Sequence, residues 1–339
     1  MCDSNKQDVI RCFRDVDYLM SDTKRQSKNG VDKQMCNVYV PPEDDSRDYN
    51  PVLVFVHGGS WSRGDRSHRW FDVYGNLAKY FAKAGYVVVV AGYRLSPEVQ
   101  HPTHCEDVAQ CLKFVKLKIK TYNGNPDLVF LMGHSAGGHI CASLVLNTAF
   151  LDKVDLDHTF IKGCVTVSGV YDVTATALMS QIVSRFVIIP AFGRREDGDY
   201  SDCSPIEYVR RGAPPFLVLN AEKDWGLDRQ SEHFVQKLCN AGVECKWKRY
   251  HRSGTNHLSI IGLSKLRGEP YKEMCADSID FLDDLVRRRF EGKKMSKHLR
   301  GNSSVVYDDV FVEGLEDQPQ PVMDDVAQDG EDLGGVCSL

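Results

Sequence analysis

Ser135 stands between glycines at the point where an apolar strand-like run gives way to an apolar helix-like one. The run Leu128-Val129-Phe130-Leu131-Met132 leads into Gly133-His134-Ser135-Ala136-Gly137-Gly138, and the segment 140–150 follows. A strand, a Gly-x-Ser-x-Gly turn and a helix in that order make a nucleophile elbow. Small neighbours let the backbone bend sharply without a clash, which leaves the Ser hydroxyl exposed above a sheet. The helix behind it points its N-terminal amides and positive dipole end at the same place. A glycine-rich strand-to-helix turn can use the same letters, so the partners of Ser135 decide the matter.

The rest of the chain supplies the sheet that an elbow needs. Short β-branched or apolar runs at 52–56, 87–90, 163–167, 216–220 and 244–250 read as strands. Helix-like segments at 67–84, 103–120, 229–241 and 271–290 separate or follow them. Such continuous apolar strands alternating with helices predict a mostly parallel sheet covered on both faces. Two further strands, 13–19 and 34–40, come first, with a turn-rich stretch between them that holds the hairpin signal Asn29-Gly30. The expected fold class is therefore α/β, with eight strands in all. Residues 1–295 form the predicted domain. An insertion at about 174–212, apolar over 182–192 and polar over 193–202, breaks the rhythm and reads as a cap over a pocket or as a peripheral helix pair. From 296 to 339 the chain turns acidic, with Gly, Gln and Pro; it buries too little apolar surface to fold alone and is expected to be disordered.

Composition narrows the function classes. The chain is 42% hydrophobic and 26% charged, the balance of a soluble globular protein. A net charge of -5 and a pI near 6.1 give no basis for a nucleic-acid partner. The cationic cluster Arg287-Arg288-Arg289 closes a predicted helix, where it complements the dipole. No run of about 18 apolar residues suggests a membrane span. The first residues lack a signal-peptide layout, and the twelve cysteines are scattered without a CxxC pair. Cys141 and Cys164 sit within apolar runs and read as reduced core residues, so a cytoplasmic protein is expected. The sequence is also compatible with a homodimer.

A Ser hydroxyl is a poor nucleophile at neutral pH and needs a base, itself oriented by a carboxylate. In a sheet of this kind the partners follow in the order Ser, acid, His, each just after a strand end. Asp224, four residues beyond the strand 216–220, fits the acid, with Glu222 and Asp228 as further candidates. Asp228 also suits an N-cap. His257, in the loop Gly254-Thr255-Asn256-His257-Leu258, fits the base better than His251, which abuts the strand end. His134, His139 and His233 need no special role in this reading, and His68, His158 and His298 read as solvent-facing. Donors for the oxyanion are available from the amide of Ala136 and from the loop His57-Gly58-Gly59-Ser60-Trp61. No histidine–carboxylate cluster has metal-ligand spacing, and the expected reaction needs no cofactor.

Three motifs, His57-Gly58-Gly59-Ser60-Trp61, Tyr93-Arg94-Leu95-Ser96-Pro97-Glu98 and the elbow itself, resemble those of the α/β-hydrolase esterase/lipase superfamily. The likeness covers roughly residues 13–290. The His-Gly-Gly-x-Trp loop is similar to that of the kynurenine formamidase (arylformamidase) branch, whereas hormone-sensitive-lipase-like esterases more often carry a third glycine where Ser60 stands. The Tyr93 to Glu98 run suits that esterase branch equally. The resemblance implies Ser135, Asp224 and His257 as a catalytic triad and the amides of Gly59 and Ser60 in the oxyanion hole. Trp61 is then a loop anchor or pocket wall, or simple packing. It implies a small-molecule substrate: N-formyl-kynurenine, cleaved to kynurenine and formate in tryptophan catabolism, or a short-chain or aryl ester. A catalytically inactive binding protein on the same fold is the reading of another class.

Overall fold

A computed structural model of the chain describes residues 9–20, 33–43, 49–67, 72–251, 253–263 and 268–301. Eight strands form its sheet: β1 (Arg11–Asp17), β2 (Met35–Val40), β3 (Asn50–Val56), β4 (Val87–Ala91), β5 (Gly124–His134), β6 (Ile161–Val167), β7 (Phe216–Asn220) and β8 (Cys245–Arg249). They lie side by side in the order β1-β2-β4-β3-β5-β6-β7-β8. The β1–β2 and β2–β4 pairs are antiparallel, and every other pair is parallel. The expected mostly parallel, eight-stranded α/β sheet is what the chain forms.

The helices are α1 (Val73–Lys83), α2 (Thr103–Lys118), α3 (Ala136–Leu146), α4 (Ala149–Asp152), α5 (Val173–Leu178), α6 (Gln181–Val183), α7 (Ile189–Phe192), α8 (Leu227–Asn240) and α9 (Lys272–Gly301). Where sequence and structure differ, the cause is local. The expected helix 140–150 begins four residues earlier, directly behind Ser135, and stops where Asn147 turns extended. The expected last helix runs on from 290 to Gly301. The Asn29-Gly30 hairpin signal, the first residues of the expected helix 67–84, and the acidic tail beyond 301 lie outside the described residues. By its contacts the chain divides into a unit of residues 1–293 and one of residues 294–339.

Alternation along the central strands builds two cores, one on each face of the sheet. On β3, Val52, Val54 and Val56 pack into one with Ala109, Leu112, Ile140 and Leu144 of α2 and α3. Leu53 and Phe55 pack into the other with Leu77 and Phe81 of α1 and Met274, Phe281 and Leu282 of α9. Burial on both sides explains why these strands read as continuous apolar runs. Cys141 and Cys164 are buried within the first core, as free thiols.

This topology positions the chemistry. The chain leaves β3 toward β4 on one side and returns past it to β5 on the other, so the order reverses between the two neighbours β3 and β5. The loops after these strands therefore open side by side at a topological switch point, where sheets of this kind bind ligands. Val56 is paired with Gly133 at the end of that ladder. Close approach of backbones completes the arrangement: a Cβ on Gly137 would stand 2.6 Å from His57 O and closer still to Val56 O. We expect Gly137→Ala to force α3 away from β3, lowering stability by about 3 kcal/mol and reducing activity with it. Urea unfolding checks this, and a midpoint equal to the parent's contradicts it.

Candidate active site

Ser135 is held in a strained turn. Its φ of 54° and ψ of -119° lie where a side chain is rarely tolerated. Two anchors hold it there: the Ser135 amide donates to Val167 O of β6 at 2.9 Å, and the Ser135 carbonyl accepts the His139 amide at 3.1 Å. The bend aims the hydroxyl at His257, whose Nε2 lies 2.9 Å from Ser135 Oγ. The opposite ring nitrogen, Nδ1, is 2.7 Å from Asp224 Oδ1. A carboxylate can only accept, so Nδ1 carries the proton and Nε2 is free to accept the Ser hydroxyl. All three predicted residues meet in one line.

The acid and base loops are joined by backbone bonds. Lys223 donates to Thr255 O at 3.1 Å, and His257 donates to Lys223 O at 3.0 Å. Asn256 Oδ1 accepts the amides of Leu258 and Ser259 at 3.0 and 2.9 Å, closing the turn behind the histidine. Asp224 Oδ2 accepts the Asn220 side-chain amide at 2.7 Å, and Asn220 Oδ1 accepts Trp247 Nε1 at 2.9 Å. Burial pushes the Asp224 carboxyl up, but the bonds from His257 and Asn220 outweigh it and hold the group below the ordinary carboxylate value. The other acid candidates are engaged elsewhere. Glu222 Oε2 accepts the Gly254 amide at 2.6 Å, and Asp228 pairs with Arg249 at 2.8 Å. His251 is exposed, outside the line.

The predicted donor loop lies against Ser135. A Cβ on Gly58 would stand 3.2 Å from Ser135 Cβ and 2.7 Å from His134 Nδ1. Gly59, Ser60 and Trp61 all have positive φ, at 123°, 52° and 56°, which curls the loop back over β3. Ala136 opens α3, so its amide has no partner within the helix. Tyr93 and His57 brace the loop from below: their rings stack at 4.3 Å, and Tyr93 OH donates to His57 O at 3.0 Å.

Trp61 is the anchor of this loop and not an open pocket wall. It is buried, and its Nε1 donates to His139 Nδ1 at 3.3 Å. His139 Nε2 in turn donates to Cys203 O at 2.8 Å. Phe192 of the insertion completes the cluster edge-on, 4.8 Å from Trp61 and 5.5 Å from His139. His139 thus ties the donor loop, α3 and the insertion together, a role its place in an apolar helix did not signal. His134 is likewise structural: its Nε2 donates to His257 O at 2.8 Å. Sequence reasoning also passed over Trp225, whose ring stacks on His257 at 4.2 Å and 26°. A tryptophan directly after the acid was the available signal. His158 is exposed and His233 lies on α8, whereas His68 and the His298 side chain lie outside the described residues. Among the described residues, no group of three His, Cys, Asp or Glu could hold a metal ion, and no helix is long and apolar enough to cross a membrane.

Two outcomes follow from this geometry. Ser135→Gly relieves the strained turn and is expected to unfold about 1 kcal/mol later than Ser135→Ala; equal urea midpoints for the two would contradict the strain. Burial lowers five histidines far below their ordinary value, His57 and His101 to about 4 and His104, His134 and His139 to about 3. Unfolded histidines titrate near ~6.5, so between there and about pH 4 the unfolded chain takes up protons that the folded chain refuses. Stability is complete above that window and falls as pH drops through it, by up to about 1.4 kcal/mol per pH unit for each histidine. Urea midpoints at pH 7.5 and 5 measure the loss, and His139→Gln should shrink it.

Comparison with known proteins agrees with this architecture. The family described as BD-FAE matches residues 36–238. Esterase LipQ of Mycobacterium tuberculosis is 30% identical over 254 residues, covering 73% of this chain and 58% of its own. The probable carboxylic ester hydrolase LipM of the same organism is 30% identical over 212 residues, covering 60% and 48%. The chain thus spans about half the length of the curated relatives it matches. Among solved structures, esterase B from Lactobacillus Rhamnosis superposes with a TM-score of 0.68 over 84% of this chain and 89% of that one, at 19% identity. The fold is the α/β-hydrolase fold, and the chain belongs to the BD-FAE family.

Proposed function

We propose that this chain is a cofactor-independent serine esterase acting on a carboxylic ester. The observation that carries the reading is the line Ser135–His257–Asp224, with bonds of 2.9 and 2.7 Å at the mouth of the β3 and β5 loops. In this mechanism Ser135 Oγ attacks the ester carbonyl while His257 Nε2 takes its proton. Asp224 keeps the imidazole in the reactive tautomer and balances its positive charge. The amides of Gly59, Ser60 and Ala136 stabilise the oxyanion, a task worth about 3 kcal/mol per donor. His257 then returns the proton to the departing alcohol, leaving an acyl group on Ser135. Water, deprotonated by the same histidine, releases the carboxylic acid and restores the enzyme.

The related proteins are esterases, which favours an ester over the formamide implied by the His57 to Trp61 loop. Formamide cleavage would use the same triad, since a formyl group forms an acyl-enzyme in the same way. The loop motif is what supports that second reading, and it places N-formyl-kynurenine in the same assay. A rate comparison decides between them. With p-nitrophenyl acetate as the faster substrate the esterase reading stands; clear preference for N-formyl-kynurenine replaces it with the formamidase. Ser135→Ala should lower either rate by at least about 10⁴-fold while the protein stays folded. A fluorophosphonate should label the parent only, and labelling of Ser135→Ala would sink the assignment of the nucleophile.

A further inference from the structure

Exposed apolar side chains gather beside the triad. Along α5, α6 and the π turn Ser184–Ile188 that continues α6, Leu178, Ile182 and Phe186 are 78%, 71% and 67% exposed. Ile182 and Phe186, four residues apart on the continuous run from Gln181, share one side of it, and Leu178 closes α5 just before the extended Ser180 that separates the two pieces. Met179, next to Leu178, is 45% exposed.

Two sets of contacts fix α5 against α8 and against the residues that follow Asp224. Gln230 of α8 grips the start of α5: its Nε2 donates to Thr176 Oγ1 at 2.9 Å, and its Oε1 accepts the amides of Tyr171 and Asp172 at 3.3 and 3.2 Å. At the other end of α5, Met179 Cε lies 3.7 Å from where a Cβ on Gly226 would stand. Gly226 follows Trp225, which is 64% exposed while its ring lies on His257. Trp225 on the catalytic imidazole, Met179 against the adjacent Gly226, and the exposed Leu178, Ile182 and Phe186 that flank Met179 in the chain together make up an apolar strip. At Phe186 it meets the Arg185 guanidinium, 5.8 Å over the ring. Leaving such a strip in water is unfavourable, and surfaces of this kind mark binding sites for apolar ligands.

Resting on the esterase reading, we infer that this strip binds the hydrocarbon chain of a medium- or long-chain ester, laid across the insertion while the ester carbon sits at Ser135. Each methylene that leaves water for the strip strengthens binding, so reactivity should climb with chain length. A short ester such as an acetate leaves the strip uncovered. The chain can belong to the acyl or to the alcohol part of the ester, and both have the same chemistry.

The test compares kcat/KM in two arms: p-nitrophenyl octanoate against p-nitrophenyl acetate for an acyl chain, and octyl acetate against ethyl acetate for an alkyl chain. We expect the parent to favour the eight-carbon member about tenfold or more in one arm, which identifies the part of the ester that lies on the strip. The triple variant Leu178→Ser, Ile182→Ser, Phe186→Ser changes only exposed side chains and should remove most of that preference. Leu117→Ser, an exposed leucine on α2, should keep it. A parent that prefers the short ester in both arms overturns the inference, as does a triple variant that keeps the parent's preference. Hydrolysis of none of the four esters overturns the esterase reading itself, and this one falls with it.

Discussion

The backbone contact at Gly137 carries the architecture of the candidate site. There the first turn of α3 presses onto the ends of β3 and β5 with no side chain between them. Gly133, near the end of β5, is similarly crowded, with Gly137 O well inside contact distance of where its Cβ would stand. Because the helix sits this low, the chain must bend abruptly at Ser135, and the residue takes a conformation that costs about 1–3 kcal/mol. That energy is supplied by the cores above and below, where β3 and β5 are buried on both faces. The same closeness brings the loop after β3 within contact of the nucleophile. The strain at Ser135 and its contact with the loop after β3 are thus consequences of a single approach of helix to sheet.

Much of this was legible because backbone demands and burial leave marks in the sequence. Glycines at 133, 137 and 138 around Ser135 record the close approach, and runs such as Val52 to Val56 record two-sided burial. The order of nucleophile, acid and base follows from the order of strands, so Asp224 and His257 could be placed by counting from strand ends. Other features left weaker marks. His139 lies in an apolar helix and reads as core, yet its two ring nitrogens link Trp61 to Cys203. Such a role depends on which side chains the insertion brings back from some sixty residues away, and no local pattern encodes that. Trp61 was ambiguous for the same reason: a wall and an anchor look alike until the neighbours are known. The split between α3 and α4 turns on the extended backbone of Asn147, which interrupts an otherwise continuous apolar run.

The polar groups behind the triad form a chain with a direction. Trp247 orients the Asn220 amide, Asn220 holds one oxygen of Asp224, and Asp224 fixes the imidazole with the other. Asn220 ends β7, and Trp247 lies on the neighbouring strand β8, so the sheet itself sets the angle of the carboxylate. Buried carboxylates without such partners take up a proton and lose their charge. Here the paired bonds keep Asp224 ionised, the state that can compensate a positive imidazolium. Glu222 and Asp228 lack this setting, since each is committed to holding a loop or a strand end.

The insertion joins these parts from above and differs from them in character. Its inner side is satisfied: Phe192 packs on Trp61, and Cys203 accepts from His139. Its outer side leaves Leu178, Ile182 and Phe186 in water. A peripheral helix pair would gain solubility by carrying polar residues there, as the neighbouring segment 193–202 does. Trp225 has the same divided character, with one face on His257 and the rest in solvent. On the proposed reading the triad fixes the bond to be broken, and the exposed outer side of the insertion selects what is attached to it, while its inner side holds the loop after β3 through Trp61 and His139.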